Sequence, residues 1–310
     1  MSLTLLFAAG PGVARDYDAP LKAALQEEGL SARVVTEAPP DSVDYILYAP
    51  ASPLQDFTPF TRTKAVLSLW AGVERIVSNP TLTQPLARMV DPGLTRGMVE
   101  YVCGHVLRYH LGMDAHILAQ PGDWNPVEPP LASQRRVGIL GLGALGGACA
   151  EALVRFGFAV SGWSASPKDL AGVSCHHGPE GLKKLLQESE ILVTLLPHTT
   201  ATENIMNAGA FALMPQGACL INPGRGALID DEALLSALES GQIAHATLDV
   251  FRIEPLAHDH PYWHHPNVTV TPHIAATTRA ASAARALARN IARVEAGLPL
   301  AHEVRRARGY

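Results

Sequence analysis

Val137-Gly-Ile-Leu-Gly141-Leu-Gly143-Ala-Leu-Gly146 decides the fold class. The run Arg136–Leu140 is apolar and short, as a buried strand is, and an alanine-rich helical stretch, Leu145–Phe156, begins at the last glycine. Gly141 permits the tight turn, Gly143 lets backbone approach a pyrophosphate, and Gly146 lets the helix lie close on the strand. The helix N-terminus then offers unpaired N–H groups to an anion. A glycine pattern alone is weak evidence. Here a strand precedes it, a helix follows, and a second strand comes at Phe158–Gly162. That context favours a dinucleotide site over a structural turn.

The same alternation extends in both directions, the pattern of βαβ units and parallel sheets. Downstream, Ile191–Leu196, Ala218–Ile221, Ala246–Val250 and Val268–Thr271 read as strands, with a helix at Asp231–Ser240 and a last one at about Thr277–Ala296. Upstream, Leu3–Ala8, Ala32–Val35, Tyr45–Tyr48 and Ala65–Leu69 read as strands, with a helix over Ala19–Glu28 closed by Gly29. Pro11, Pro20, Pro39, Pro40, Pro50, Pro53 and Pro59 punctuate the loops of this first block. The stretch from Thr95 to about Leu118 reads as one extended helix, and Gln120–Pro130 as a proline-rich connector. The expectation is an α/β protein with two doubly wound parallel-sheet domains.

With 310 residues, 47% of them hydrophobic, the chain is long enough for two cores. A net charge of −5 gives no basic surplus for nucleic acid or anionic membrane. No apolar run approaches the roughly 20 residues of a bilayer span, and no positive residue precedes the first apolar stretch as a signal peptide requires. Cys103, Cys149, Cys175 and Cys219 stand far apart, which argues against structural zinc and a disulfide framework. The histidine pairs His176-His177 and His264-His265, with His258 and His260, fall in polar, loop-like stretches without metal-ligand spacing. His105 and His110, on the long helix, read as packing or dimer-interface residues. These features predict a cytoplasmic protein with no metal site.

After the second strand of the dinucleotide unit comes Trp163-Ser164-Ala165-Ser166-Pro-Lys168, with no carboxylate to receive a ribose 2′-hydroxyl. Hydroxyls at Ser164 and Ser166 and the ammonium of Lys168 suit a 2′-phosphate, so NADPH is the expected cofactor, with NAD as the alternative. Three motifs follow at strand ends, where ligands collect in such sheets. They are Leu220-Ile-Asn222-Pro-Gly224-Arg225-Gly226, Leu248-Asp249-Val-Phe-Arg252-Ile-Glu254-Pro255 and Val270-Thr-Pro272-His273-Ile-Ala-Ala276. Singly, each is a surface arginine, a turn carboxylate or one histidine among 13. Together they hold what hydride transfer to a 2-oxo acid needs. Arg225 can fork onto a carboxylate and polarise the ketone. His273 can supply the proton, and Glu254 can hold its ring and stabilise the imidazolium.

This ordered set resembles the D-isomer-specific 2-hydroxyacid dehydrogenase family. The Trp163-Ser164 pair, the C-terminal Arg306-Ala-Arg308-Gly309-Tyr310 and the short length are similar to its glyoxylate/hydroxypyruvate reductase A type. The resemblance implies nicotinamide-dependent reduction of a small 2-oxo acid, usually by a homodimer with a cleft between two domains. It implies a Rossmann-type domain over residues 99–274, inserted into a flavodoxin-like substrate domain made of 1–98 and 275–310. It carries the Arg/Glu/His roles to Arg225, Glu254 and His273, and places Asp249 near the nicotinamide carboxamide and Pro197 in the adenosine pocket. Further cofactor contacts are implied at Ala144 and Leu145 beside the glycines, at Trp163 and Leu196, and at Asn222 and Ala275. The loop Trp70-Ala71-Gly72 matches the one whose backbone holds the substrate carboxylate. In two places the chain departs from the subgroup. Ala165 replaces a common phosphate-contacting arginine, and Trp70 stands where a smaller residue is frequent. The competing expectations are a dinucleotide-sensing regulatory protein on the same fold, which need not keep all three of Arg225, Glu254 and His273, and a dehydrogenase for bulkier 2-oxo acids.

Overall fold

A computed structural model describes residues 2–118, 122, 124 and 126–306. Arg308, Gly309, Tyr310 and part of the connector Gln120–Pro130 lie outside the described residues. The chain divides into two compact units, Met1–Leu94 with Thr278–Tyr310, and Thr95–Thr277.

The first unit starts with β1 (Leu3–Ala8), α1 (Pro11–Glu27), β2 (Ala32–Val35), β3 (Tyr45–Tyr48), β4 (Ala65–Ser68), α2 (Glu74–Val77) and β5 (Leu86–Ala87). Helix α3 (Pro92–His110) leads out, and its first turn contains the boundary between the units. The second unit continues with α4 (Met113–Leu118), β6 (Arg136–Leu140), α5 (Ala144–Arg155), β7 (Ala159–Trp163), β8 (Val173–His176) and α6 (Gly178–Glu188). Then come β9 (Ile191–Thr194), α7 (Ala208–Leu213), β10 (Ala218–Asn222), α8 (Asp231–Glu239), β11 (Ile243–Leu248) and β12 (Val268–Val270). Helix α9 (Ala280–Glu295) completes the first unit.

The first sheet has strand order β2-β1-β3-β4-β5 and every pairing is parallel. It is the flavodoxin-like doubly wound order. Its strands are apolar throughout because both faces are covered. One face packs Leu5, Leu47 and Leu67 against Leu21 and Leu25 of α1 and Leu287 and Ile291 of α9. Ala283, Ala284 and Ala288 complete that face of α9, and their small side chains allow close packing. The other face buries Ile46, Tyr48 and Val66 with Phe57, Ile76 and Leu82.

The second sheet runs β12-β11-β10-β9-β6-β7-β8, again all parallel. Strand order reverses at the β6/β9 boundary, the switch point beside which Rossmann-type sheets bind dinucleotides.

Several local expectations are corrected. Pro11 and Pro20 do not break the first helix. Pro11 sits in its first turn, where a missing N–H costs nothing, and Pro20 is accommodated within it. The stretch from Thr95 to Leu118 is two helices, because Gly112 adopts φ +62 and closes α3. Across the break, Arg108 pairs with Asp114 at 2.7 Å. His176 ends an edge strand, and His177 precedes α6 as its N-cap. Alternating Val173-Ser-Cys-His176 is a short signal, and the polar flanks conceal it.

Helix α3 presents two stripes. Met98, Val102 and Val106 enter the apolar core with Val137, Ile139 and Leu153. Tyr101, His105 and Tyr109, spaced four apart, meet polar residues of β11 and of the segment after β12. The Tyr109 hydroxyl lies 2.5 Å from that of Thr247, and His105 Nδ1 lies 3.4 Å from the same oxygen. His110 packs edge-on against Phe158, with ring centroids 4.9 Å apart.

His245 in β11 shares this layer, with Nε2 3.0 Å from the Thr269 hydroxyl and its ring 5.3 Å from that of Tyr109. Burial first, then the Arg108 guanidinium, push its imidazolium form down to about 4. His105 and His265 add to the effect, and Asp114 opposes it. Between the ordinary histidine value of 6.5 and about 4, the unfolded chain binds a proton that the folded chain refuses. Stability should therefore fall as pH drops through that window. His245→Asn should flatten the decline, read as the difference between urea midpoints at neutral and acidic pH. An unchanged slope would remove His245 as its source.

Candidate active site

The glycine loop is shaped by contacts that admit no side chain at two of its three positions. Gly141 has φ +116, and a Cβ there would stand 2.7 Å from the Leu195 carbonyl carbon. At Gly146 a Cβ would stand 1.8 Å from the Gly141 oxygen. Gly141 and Gly146 thus bring the start of α5 onto the turn and press the turn against the end of β9. Gly143 differs, since a Cβ would meet no protein atom within 4 Å. It is the N-cap of α5 and makes no side-chain cap hydrogen bond. The first-turn N–H groups, from Ala144 and Leu145 onward, are therefore left for an anion. An open backbone cradle at a helix N-terminus beside the switch point fits a dinucleotide pyrophosphate. Leu196 and Pro197 follow β9 on the other side of that point, and the Pro197 carbonyl accepts the Thr202 hydroxyl at 2.7 Å.

At the end of β7, the Trp163 indole N–H donates to the Gly178 carbonyl at 2.8 Å. The Ser164 hydroxyl is buried and donates to the Ser166 carbonyl at 2.7 Å, which shapes the turn. Ser166 and Lys168 are exposed on that turn.

The three motifs occupy neighbouring strands, and sheet register brings their ends together. Asn222, Leu248 and Val270 form one row across β10, β11 and β12. Beyond that row the chain turns three times. In the first turn, the buried Asn222 side chain accepts from the Thr194 hydroxyl at 2.7 Å and the Gly224 N–H at 3.2 Å. Its amide donates to the Arg225 carbonyl at 3.0 Å. Asn222 thereby folds the loop that presents Arg225, whose Nη1 donates to the Gly224 carbonyl at 2.7 Å. Gly226 lies so close to the next loop that a Cβ would stand 2.0 Å from the Phe251 carbonyl carbon.

That next loop carries Glu254. One carboxylate oxygen accepts the Phe251 N–H at 2.9 Å, and the other lies 2.7 Å from His273 Nδ1. The loop is braced by Arg252, which donates to Asn204 Oδ1 and the Ile229 carbonyl and pairs with Glu203 and Asp231 at 3.6 Å each. Nothing in the second motif's sequence marks Arg252 for this bracing role, because its partners lie on distant segments.

His273 adopts φ +54, in the left-handed region, which costs an L-residue roughly 1–2 kcal/mol. Its N–H donates to the Asp249 carbonyl at 2.9 Å and the Thr271 carbonyl at 3.1 Å. A carboxylate only accepts, so the Glu254 contact places a proton on Nδ1 and leaves Nε2 as the other ring nitrogen. The His273 side chain is 54% exposed, open to a reactant.

Asp249 is fully buried. Its Oδ1 accepts from the Thr271 hydroxyl at 2.6 Å and the Ile274 N–H at 2.9 Å, and its Oδ2 from the Ala275 N–H at 2.9 Å. It therefore clamps the loop that follows β12. Ala275 is held there by its backbone and is buried.

In the other unit, the loop after β4 carries Trp70, 43% exposed. The Ser68 hydroxyl both donates to the Trp70 carbonyl at 2.9 Å and accepts its N–H at 3.1 Å, fixing the turn that leads to Ala71 and Gly72. Among the described residues, no group of three or more His, Cys, Asp or Glu residues is placed to hold a metal ion, and no helix is long and apolar enough to cross a membrane.

Residues 105–275 match the family model for the D-isomer specific 2-hydroxyacid dehydrogenase NAD binding domain. A Serratia proteamaculans protein named glyoxylate/hydroxypyruvate reductase A is 44% identical over 244 residues, 76% of this chain and 78% of that one. A Yersinia enterocolitica protein of the same name is 42% identical over 80% of this chain and 82% of its own. Among solved structures, a D-isomer specific 2-hydroxyacid dehydrogenase from Xanthobacter autotrophicus Py2, in complex with NADPH and MES, superposes with TM-score 0.93. It is 42% identical, and both chains are covered completely. An NADPH-dependent glyoxylate/hydroxypyruvate reductase from Sinorhizobium meliloti, in complex with NADP and sulfate, gives 0.85 at 33% identity over the full length of both chains. With a matched domain, strongly similar full-length relatives and the strand-end set Arg225, Glu254 and His273, this chain belongs to the D-isomer specific 2-hydroxyacid dehydrogenases.

Proposed function

We propose that the protein reduces a small 2-oxo acid, glyoxylate or hydroxypyruvate, to its 2-hydroxy acid with NADPH. The observation that carries the mechanism is the 2.7 Å contact of His273 Nδ1 with Glu254 at the end of the sheet that also presents Arg225. The unit Thr95–Thr277 is assigned the dinucleotide, and the unit of Met1–Leu94 and Thr278–Tyr310 the substrate. On the family resemblance, the backbone of Trp70, Ala71 and Gly72 is assigned to the substrate carboxylate. When bound, the reduced nicotinamide supplies a hydride to the carbonyl carbon.

The remaining work falls to the chain. The Arg225 guanidinium aligns the substrate by its planar fork and draws electron density toward the carbonyl oxygen. The Nε2 proton of His273 passes to that oxygen as the alkoxide develops, so the C=O bond becomes C–O–H. Glu254 keeps the ring oriented and stabilises its positive charge before transfer. The Gly141–Gly146 cradle holds the pyrophosphate, and the turn after β7, which has no carboxylate before Asp169, tolerates a 2′-phosphate where an acid would repel it. Ser166 and Lys168 are assigned to that phosphate.

Support for a homodimer is the exposure of Leu111, Met113, Ile117, Trp124 and Leu131 after the long helix, a density of apolar surface that suits a partner chain. Four free thiols, two of them buried, suit a reducing cytoplasm. The test of the activity is oxidation of NADPH and NADH, followed by absorbance, against a panel of 2-oxo acids. Glyoxylate and hydroxypyruvate should give the highest kcat/KM, with NADPH ahead of NADH. Absence of turnover with every acid would leave only a nucleotide binder.

A further inference from the structure

Helix α3 reaches the reacting histidine through two hydroxyls. In β11 and the segment after it, His245, Thr247 and Asp249 alternate on one face, as Thr269 and Thr271 do on and after β12. The stripe Tyr101, His105 and Tyr109 covers that polar face. Its first member lies nearest the chemistry. The Tyr101 hydroxyl is 2.7 Å from the Thr271 hydroxyl, which is 2.6 Å from Asp249 Oδ1.

The direction of this chain follows from what each group can give. The Thr271 hydroxyl donates to Asp249 Oδ1. Thr271 has only one hydroxyl hydrogen, so the 2.7 Å partnership with Tyr101 must run from the phenol to the threonine oxygen. Burial raises the Tyr101 phenol well above the ordinary value, which keeps its proton in place. The chain ends at Asp249, whose remaining lone pairs accept the backbone N–H groups of Ile274 and Ala275 while its carbonyl accepts that of His273. Gly97, one turn earlier on α3, backs the same loop, since a Cβ there would stand 3.4 Å from the Ala275 carbonyl oxygen.

We infer that Tyr101 and Thr271 are positioning residues for the reduction: the Tyr101–Thr271–Asp249 relay holds residues 273–275 in the left-handed turn that presents His273 to the substrate. The inference rests on the reading of His273 as the proton donor. Losing the phenol leaves the Thr271 oxygen without its donor, and Asp249 then shifts or rotates, so the His273 ring samples unproductive positions. Chemistry suffers, whereas the glycine cradle that binds the dinucleotide is untouched.

The test uses the full chain with glyoxylate and NADPH, comparing Tyr101→Phe, Thr271→Val, Thr271→Ser, the double variant Tyr101→Phe/Thr271→Val, and His273→Gln alongside. One lost buried hydrogen bond is expected to lower kcat by roughly 10-fold, with the KM for NADPH and the melting temperature of Tyr101→Phe near wild type. Thr271→Ser should restore most of what Thr271→Val loses, because the hydroxyl and not the methyl carries the relay. The double variant should be no slower than Thr271→Val, since both changes cut one chain. Wild-type kcat in Tyr101→Phe, a multiplicative double variant, or a Thr271→Ser as slow as Thr271→Val would each overturn the relay. Should Tyr101→Phe be unimpaired while His273→Gln is inactive, the relay alone fails. Should His273→Gln itself turn over normally, the proton-donor reading fails and takes the relay with it.

Discussion

His273→Gln should lower the kcat for reduction by about 10²–10⁴-fold, the range that a positioned general acid contributes. The glutamine amide fills similar space and can still donate to Glu254, so the loop after β12 has no reason to collapse. What it lacks is an ionisable nitrogen: nothing replaces the Nε2 proton that the forming alkoxide must receive. Cofactor affinity should stay close to wild type, because the cradle proposed for the dinucleotide lies at Gly141–Gly146, between β6 and α5. Measured as a rapid titration of NADPH fluorescence beside steady-state turnover, the two readouts should separate. Near-normal turnover of His273→Gln at neutral pH would defeat the mechanism.

The second large effect is expected at Arg225. Arg225→Ala removes the planar donor set, so the KM for the 2-oxo acid should rise and kcat should fall by roughly 10²–10³-fold, as when a donor to a developing oxyanion is lost. Both constants should move because, in the proposed mechanism, the same guanidinium serves the ground-state carboxylate and the oxygen that gains charge. Arg225→Lys should recover part of the KM and little of the kcat, since a single ammonium cannot reproduce the fork. A rise in KM with unchanged kcat would mean that Arg225 only binds. Unchanged values of both would exclude it from the site.

Much of this architecture is written in short stretches. Glycines 141, 143 and 146 need only their flanking strand and helix to be interpreted, and each of Arg225, Glu254 and His273 announces itself by standing just past an apolar strand. Other features were hidden for identifiable reasons. Strand β8 is only four residues long and bordered by polar residues, so its alternation is faint. The break in α3 turns on whether Gly112 is a tolerated interior glycine or a left-handed terminator, and both readings fit the same letters. Pro20 lies inside a helix because the tertiary packing of α1 against α9 outweighs a local cost.

By itself, the amino-acid order determined the alternation of strands and helices, the glycine turn and the residue types gathered at three strand ends, because hydrophobic period and turn chemistry act over a few residues. Only the folded chain decided which of those polar groups meet. Glu254 finds His273 across 19 positions, Asp249 clamps a loop 25 and 26 positions away, and Tyr101 reaches Thr271 across 170. Such partners are selected by parallel sheet register and by the angle at which a helix lies on the sheet. A hydrogen bond a few ångströms long depends on both, and neither is encoded in any local window of sequence.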